Sequence, residues 1–219
     1  MNKVYFISGL GADRRVFSYL DLSFCEPVYI DWIPAIENET LPHYSERIRA
    51  MIPDPDPVIV GLSLGGMIAT EIAKNDSHAK AIIVSSNKSA SEFPPYLKMF
   101  RHMPVHKMIP GIALKKFQNV YTRIFGVKDP EQKKLMYQII ADADMDFVKW
   151  AIGAILKWEN ETIPANLVHI HGTADRLLPF KRAHVDYGIE GGSHVLTFDK
   201  ANEVSHILRE LVNSYKPSK

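Results

Sequence analysis

The sequence predicts an α/β fold: a three-layer sandwich with a mostly parallel sheet and helices on both faces. Three observations carry that prediction. Short apolar runs alternate with helical patterns from about residue 4 to residue 85, the rhythm of a parallel sheet joined by right-handed crossovers. The run Val58-Ile59-Val60 is apolar at every position, as a strand covered on both faces should be. Finally, Gly61-Leu62-Ser63-Leu64-Gly65 stands directly between that strand and a helical stretch from Met67 to Ala73. Strand, tight turn and helix thus follow one another without a spacer.

Taken in order, Val4 to Ser8 reads as the first strand and Gly9-Leu10-Gly11-Ala12 as the turn after it. Asp13 is placed to cap a short helix running to Leu20, with Val16, Phe17 and Leu20 facing inward. Pro27 to Asp31 is a second strand. Strand, Gly-x-Gly, helix, strand and terminal acid imitate a dinucleotide fingerprint. Arg14 breaks the imitation, because a small residue is needed there for helix and strand to pack closely. The other use of Gly9 to Gly11 is a loop that sets one backbone N–H, that of Leu10, opposite Ser63. Glu37 to Ile52 carries a helical pattern in Tyr44, Ile48 and Met51 and stops at Pro53, and Asp54-Pro55-Asp56-Pro57 is a rigid connector. Ala79 to Ser85 is the fourth strand.

The rhythm breaks at Asn87. From Lys88 to about Glu161 no strand is expected, and the stretch is rich in Phe93, Tyr96, Phe100, Met103, Met108, Phe117, Tyr121 and Phe125. Pro94, Pro95, Pro104 and Pro110 should cut it into short helices. Its clearest helix has Phe147, Trp150, Ala151, Ala154, Ile155 and Trp158 in one stripe, which reads mostly as ordinary core. An insertion at the carboxyl end of a parallel strand lies where ligands bind in such sheets. Residues 88–161 are therefore expected to form a helical cap within one domain spanning 1–219, with packing into the core alone as the alternative. Lysines and arginines in residues 88–125 should cover its outer face and leave an apolar inner face.

The sheet resumes at Leu167 to His171, followed by the loop Gly172-Thr173-Ala174-Asp175. His184 to Ile189 is a last strand, followed by Glu190-Gly191-Gly192-Ser193-His194. A helix from about Lys200 to Tyr215, with Val204, Ile207, Leu208 and Leu211 inward, closes the chain. Both loops leave the carboxyl ends of strands, so they share the edge of Ser63 and Leu10.

At that edge the tight turn forces Ser63 into strained backbone angles, and glycine at 61 and 65 relieves the crowding of strand against helix. Gly66 should leave room above the serine, and the helix N-terminus beneath offers free N–H groups to a developing negative charge. The plain alternative is a glycine-rich turn with a solvated serine.

Gly61 to Gly65 resembles the nucleophile elbow of the α/β-hydrolases, His171-Gly172-x-x-Asp175 resembles the loop that carries their acid, and Gly191-Gly192-x-His194 resembles their histidine loop. The order Ser, Asp, His is also theirs. The resemblance runs over nearly the whole chain and is weakest in residues 88–161. It implies about six strands in the order 2-1-3-4-5-6, because the chain starts at what would be the third strand of the familiar sheet. It further implies that His194 is the base, that Asp175 holds its tautomer, and that the N–H groups of Leu64 and Leu10 form the oxyanion hole. No metal or organic cofactor is implied. Ser8-Gly9 stands where relatives have His-Gly, which puts the shape of that loop in question. Asp31 and Asp199 rank below Asp175 as acids, His169 and His171 read as structural strand-end residues, and Asn87 occupies an alternative acid position without a carboxylate.

The implied activity is hydrolysis of a small carboxylic ester or thioester through an acyl-enzyme. A ligand-binding receptor or regulator on the same fold, or a triad-dependent C–C hydrolase or lyase, stays open. Composition narrows the partners. The 26 Lys and Arg nearly balance 25 Asp and Glu with no long run of one sign, which argues against nucleic acid. A single cysteine, Cys25, allows no internal disulfide and no thiolate metal cluster. Met1-Asn2-Lys3 runs straight into a strand rather than a secretory leader, and no stretch reaches membrane-span length. The expectation is a cytoplasmic enzyme whose partner is a small molecule with an apolar acyl part.

Overall fold

Successive residues of each strand feed two different cores, and this sorts the helices onto two faces. The computed structural model describes residues 1–100 and 118–215. Six strands form one parallel sheet: β1 (Asn2–Ile7), β2 (Cys25–Ile30), β3 (Val58–Leu62), β4 (Lys80–Val84), β5 (Leu167–Gly172) and β6 (Tyr187–Ile189). Their order is β2-β1-β3-β4-β5-β6, as expected. Val60 of β3 lies between Phe6 of β1 and Ile82 of β4. Tyr5, Ile7, Ile59, Ala81 and Ile83 point to one core, and Val4, Phe6, Val58, Val60, Ile82 and Val84 to the other. Each such side chain contributes about 1.5–3 kcal/mol on full burial. Because β3 needs both contributions, it has no polar position.

The first core is covered by α1 (Leu41–Ala50) and α2 (Leu64–Asn75). Thr40 caps α1, so the helix begins later than Glu37. The preceding residues are taken up by a turn in which Asn38 has φ 60° and the buried Glu39 carboxylate accepts Ile36 N–H at 2.9 Å and pairs with Arg47 at 2.9 Å. Asp13 does act as a cap, but for a four-residue 3-10 turn, Arg14–Phe17, rather than a helix to Leu20.

Between β4 and β5 lie α3 (Pro95–Phe100), α4 (Gln118–Phe125), α5 (Pro130–Asp142) and α6 (Met145–Lys157). Pro95 and Pro130 open helices rather than break them, since the first turn has no use for their missing N–H. Met103, Met108, Phe117, Pro104 and Pro110 lie outside the described residues. The α6 stripe belongs to the first core, with Trp158 Nε1 donating to the buried Glu71 at 2.7 Å. The second core is closed by α7 (Leu196–Asp199), α8 (Ala201–Ser214) and, from α5, Met136 and Ile139. β6 is shorter than the sequence suggests. Asp186 accepts His169 N–H at 2.8 Å through its side chain and also binds Lys88 at 2.7 Å, so a carboxylate takes the place of a backbone ladder partner. Among the described residues, no helix is long and apolar enough to cross a membrane.

Candidate active site

Ser63 sits between β3 and α2 with φ 52° and ψ −114°, a conformation that costs on the order of 1–3 kcal/mol and persists only where the surroundings over-determine it. The surroundings do so. A Cβ at Gly61 would run into the backbone of Gly65, and one at Gly65 into the carbonyls of Ile7 and Ser8. Ser63 N–H donates to Val84 O at 2.9 Å, and Ser86 Oγ donates to Ser63 O at 2.7 Å. Gly66 corrects an expectation: its missing side chain makes room for Ser86, not for space above Ser63. Ser86, unnoticed in the sequence, is thus part of the elbow's support.

The loops after β5 and β6 meet backbone to backbone. Ala174 N–H donates to Gly192 O at 2.9 Å, and a Cβ at Gly172 would collide with that same carbonyl. Gly191 has φ 67°, Gly191 N–H donates to Thr173 Oγ1 at 2.8 Å, and Asp199 accepts Ser193 N–H at 2.8 Å. These contacts fix the buried His194. Its Nδ1 is 2.7 Å from Asp175 Oδ2 and its Nε2 is 3.1 Å from Ser63 Oγ, while Phe125 stacks on the ring. The other carboxylate oxygen, Asp175 Oδ1, accepts the N–H groups of Leu177 and Leu178 at 2.8 and 2.9 Å. Burial pushes the Asp175 carboxyl up, but the charge of His194 and hydrogen bonds from His171 and His194 outweigh it and hold the group well below the usual carboxylate range. The three residues singled out in the sequence are therefore brought into one hydrogen-bonded chain.

The loop after β1 passes beside the serine: a Cβ on Gly9 would lie 3.5 Å from Ser63 Cβ. Ser8 Oγ and Trp32 Nε1 both donate to Ala12 O, at 2.8 and 2.7 Å, and brace the loop that carries Leu10. The 3-10 turn that follows lacks the long helix of a dinucleotide site.

The sequence matches the model described as "Alpha/beta hydrolase family" over residues 4–206. This chain belongs to the alpha/beta hydrolase family. None of the curated proteins matches its sequence. Among solved structures it is similar to a thermophilic esterase from Thermogutta terrifontis (17% identity, TM-score 0.76, covering 97% of this chain and 90% of that one). It is also similar to the enol-lactonase from Burkholderia xenovorans LB400 (13%, 0.78, 97% and 92%) and to Bacillus megaterium epoxide hydrolase (13%, 0.71, 98% and 94%). At these identities the structural likenesses speak for the fold alone.

In this alpha/beta hydrolase Ser63 and His194 open into a cavity of about 210 Å³. Leu97, Phe125, Met136, Ile139 and Ile155 from α3 to α6 line it, and among the described residues no Asp, Glu, Lys or Arg does. The competing acids are elsewhere. Asp31 is exposed at the end of the outer strand β2, and Asp199 holds Ser193 N–H without touching His194. Asn87 is buried and donates to Glu92 at 3.3 Å. Glu92 also accepts Lys88 and His184 N–H groups at 2.7 and 2.9 Å, a tie between the β4 and β5 loops that no motif announces. Among the described residues no group of three or more His, Cys, Asp and Glu is arranged around a metal-sized site.

Proposed function

We propose that this hydrolase cleaves a small carboxylic ester or thioester through an acyl-enzyme on Ser63. The observation that carries the reading is the chain Ser63 Oγ, His194, Asp175 at 3.1 and 2.7 Å. Asp175, ionised and fully engaged, only accepts, so the His194 proton sits on Nδ1 and Nε2 is left bare toward the serine. As Ser63 Oγ attacks the acyl carbon, its proton passes to His194 Nε2; the imidazolium returns that proton to the leaving alcohol or thiol. Water then enters and attacks the acyl carbon while giving a proton to the same nitrogen, and that proton returns to Ser63 Oγ as its bond to the acyl carbon breaks and the acid leaves. The N–H groups of Leu64 and Leu10 take the oxyanion, each worth roughly 3–4 kcal/mol in the transition state. Residues 88–161 act as the cap, and the apolar cavity beneath it takes an uncharged acyl part. Its size, below the roughly 300–1,000 Å³ of sites for drug-sized ligands, suits a short chain.

A fluorophosphonate probe should label the protein at Ser63 alone, and Ser63→Ala should abolish both labelling and turnover of a panel of acyl esters and thioesters. Folded protein that labels elsewhere, or not at all, would sink the assignment. Labelling at Ser63 with no turnover across the panel would favour a ligand-binding role on the same fold.

A further inference from the structure

Asp175 carries a second histidine. His171, at the end of β5, has a fully buried side chain. Its Nε2 lies 2.8 Å from Leu178 O and 3.3 Å from Asp175 Oδ2, the same oxygen that faces His194 Nδ1. A carbonyl and a carboxylate only accept, so His171 Nε2 carries a hydrogen. Its other nitrogen, Nδ1, lies 2.9 Å from Nε2 of His169, which is also completely buried. One of these two facing nitrogens donates to the other. His169 Nδ1 lies 3.4 Å from His184 O. Burial, with His171 and Lys88 nearby, keeps His169 uncharged. The two buried rings thus link His169 through His171 to Leu178 O and Asp175.

We infer that His171, oriented by His169, is a positioning residue that holds Asp175 Oδ2 on His194. The inference rests on the reading of Ser63, His194 and Asp175 as the reacting chain. The grip is double. Leu178 accepts from His171 through its carbonyl and donates to Asp175 Oδ1 through its N–H, so the ring fixes both the carboxylate and the peptide that feeds it. The donors on Asp175 are Leu177 N–H, Leu178 N–H, His194 and His171, which leaves the carboxylate no free rotation. An apolar pair in the β5 interior would leave fewer polar groups to satisfy, so two linked histidines are costly unless they orient something. The extra donor also withdraws charge from Oδ2 and moderates its pull on His194. Among the described residues, the other charged or titratable groups around the chain include Lys88, paired with Asp186, Glu92 and His184, joined through the His184 N–H, and Tyr96, whose hydroxyl donates to Leu177 O.

The test compares His171→Leu, His171→Gln and His171→Asn. The leucine variant should lose about ten- to a hundredfold in kcat, the loss expected for one hydrogen bond to a charged group, with KM little changed. The acid limb of its kcat/KM profile should move to higher pH, because an oxygen relieved of one donor holds the imidazolium more strongly. Glutamine, whose amide nitrogen reaches the place of Nε2, should restore most of the rate and the profile; asparagine, a carbon shorter, should not. A purely structural role would lower thermal midpoints without moving the acid limb or separating Gln from Asn. A folded His171→Leu with wild-type kcat and profile, or Gln no better than Leu, overturns the inference. If the variants do not fold, 15N imidazole spectra of the wild type decide: a proton on His171 Nε2 is expected, and a bare Nε2 overturns the inference. Turnover that survives Ser63→Ala would refute the reacting-chain reading itself, which the tautomer measurement leaves untouched.

Discussion

The carboxyl edge of the sheet and the helices above it hold their shape by different means. At the edge, main chain meets main chain: Gly61 against Gly65, Gly65 against the carbonyls of Ile7 and Ser8, Gly172 against Gly192. Nothing there can yield, because the atoms in contact belong to strands β1, β3 and β5 or to turns fixed by them. Over the cavity, side chains meet side chains. Phe125, Met136, Ile139 and Ile155 surround the space, and the polar ties to the rest of the chain include Gln132 Nε2 to Phe198 O at 3.1 Å and Arg15 to Asp142 at 2.8 Å. Reacting groups need placement to a few tenths of an ångström, and the first region can give it. A binding wall needs only shape, and flexible apolar side chains can be exchanged one for another.

The largest effect should come from breaking the edge chemically while leaving its shape. Asp175→Asn keeps the size of the side chain but turns an acceptor toward a donor, so His194 takes the wrong tautomer. Steady-state kinetics should show kcat lower by about 10⁴, and near-normal activity would refute Asp175 as the acid. Next comes breaking its shape. Gly65→Ala drives a Cβ into two carbonyls that belong to β1 and the loop after it. The cost should be about 3–5 kcal/mol by denaturant unfolding, in the range reserved for overpacking and backbone strain. In the roof, Met136→Leu should cost less than about 1.5 kcal/mol, as volume-conserving swaps do.

An acid titration should sharpen the same contrast. The Asp175 carboxyl is held below its unfolded value, so its ionised form contributes stability that is fully present above the unfolded value of about 4 and is lost as pH falls toward the folded value. Thermal midpoints of wild type and Asp175→Asn, measured from pH 6 downward, should therefore converge below about pH 4. A constant gap would mean that the carboxylate gains nothing from its donors.

The two regions also differ in how far the sequence reveals them. The elbow, the Asp175 loop and the His194 loop are readable because each follows from a local backbone demand, glycine at fixed offsets from a strand end. The strand order follows from their resemblance to a known arrangement. Contacts that depend on distant elements are not readable. Gly66 faces Ser86 across the turn, and Asp186 cuts β6 short by reaching His169 and Lys88. His171, read as a strand-end residue, touches Asp175 four positions on because the loop folds back beneath it. In the insertion, Pro95 marks a helix start where the sequence reading sees only a cut, since first-turn and interior positions look alike without the helix in view.

The smallest expected effect is on substrate length, and it tests whether the roof sets selectivity without disturbing the edge. With no charged side chain among the described lining residues, the cavity should reward each acyl methylene that fits by up to about 0.8 kcal/mol, nearly fourfold in kcat/KM. A space of about 210 Å³ is filled quickly, so kcat/KM across a series of straight-chain esters should peak at short to medium length and then fall. Ile155→Ala opens the wall contributed by α6 and should move that peak toward longer chains, while kcat on the shortest ester stays within about twofold because Ser63, His194 and Asp175 are held by the strand ends and not by α6. A flat profile in the wild type would mean that these helices do not bound the acyl site. A peak that moves only together with a collapse of kcat on acetyl esters would mean that roof and edge are mechanically one unit.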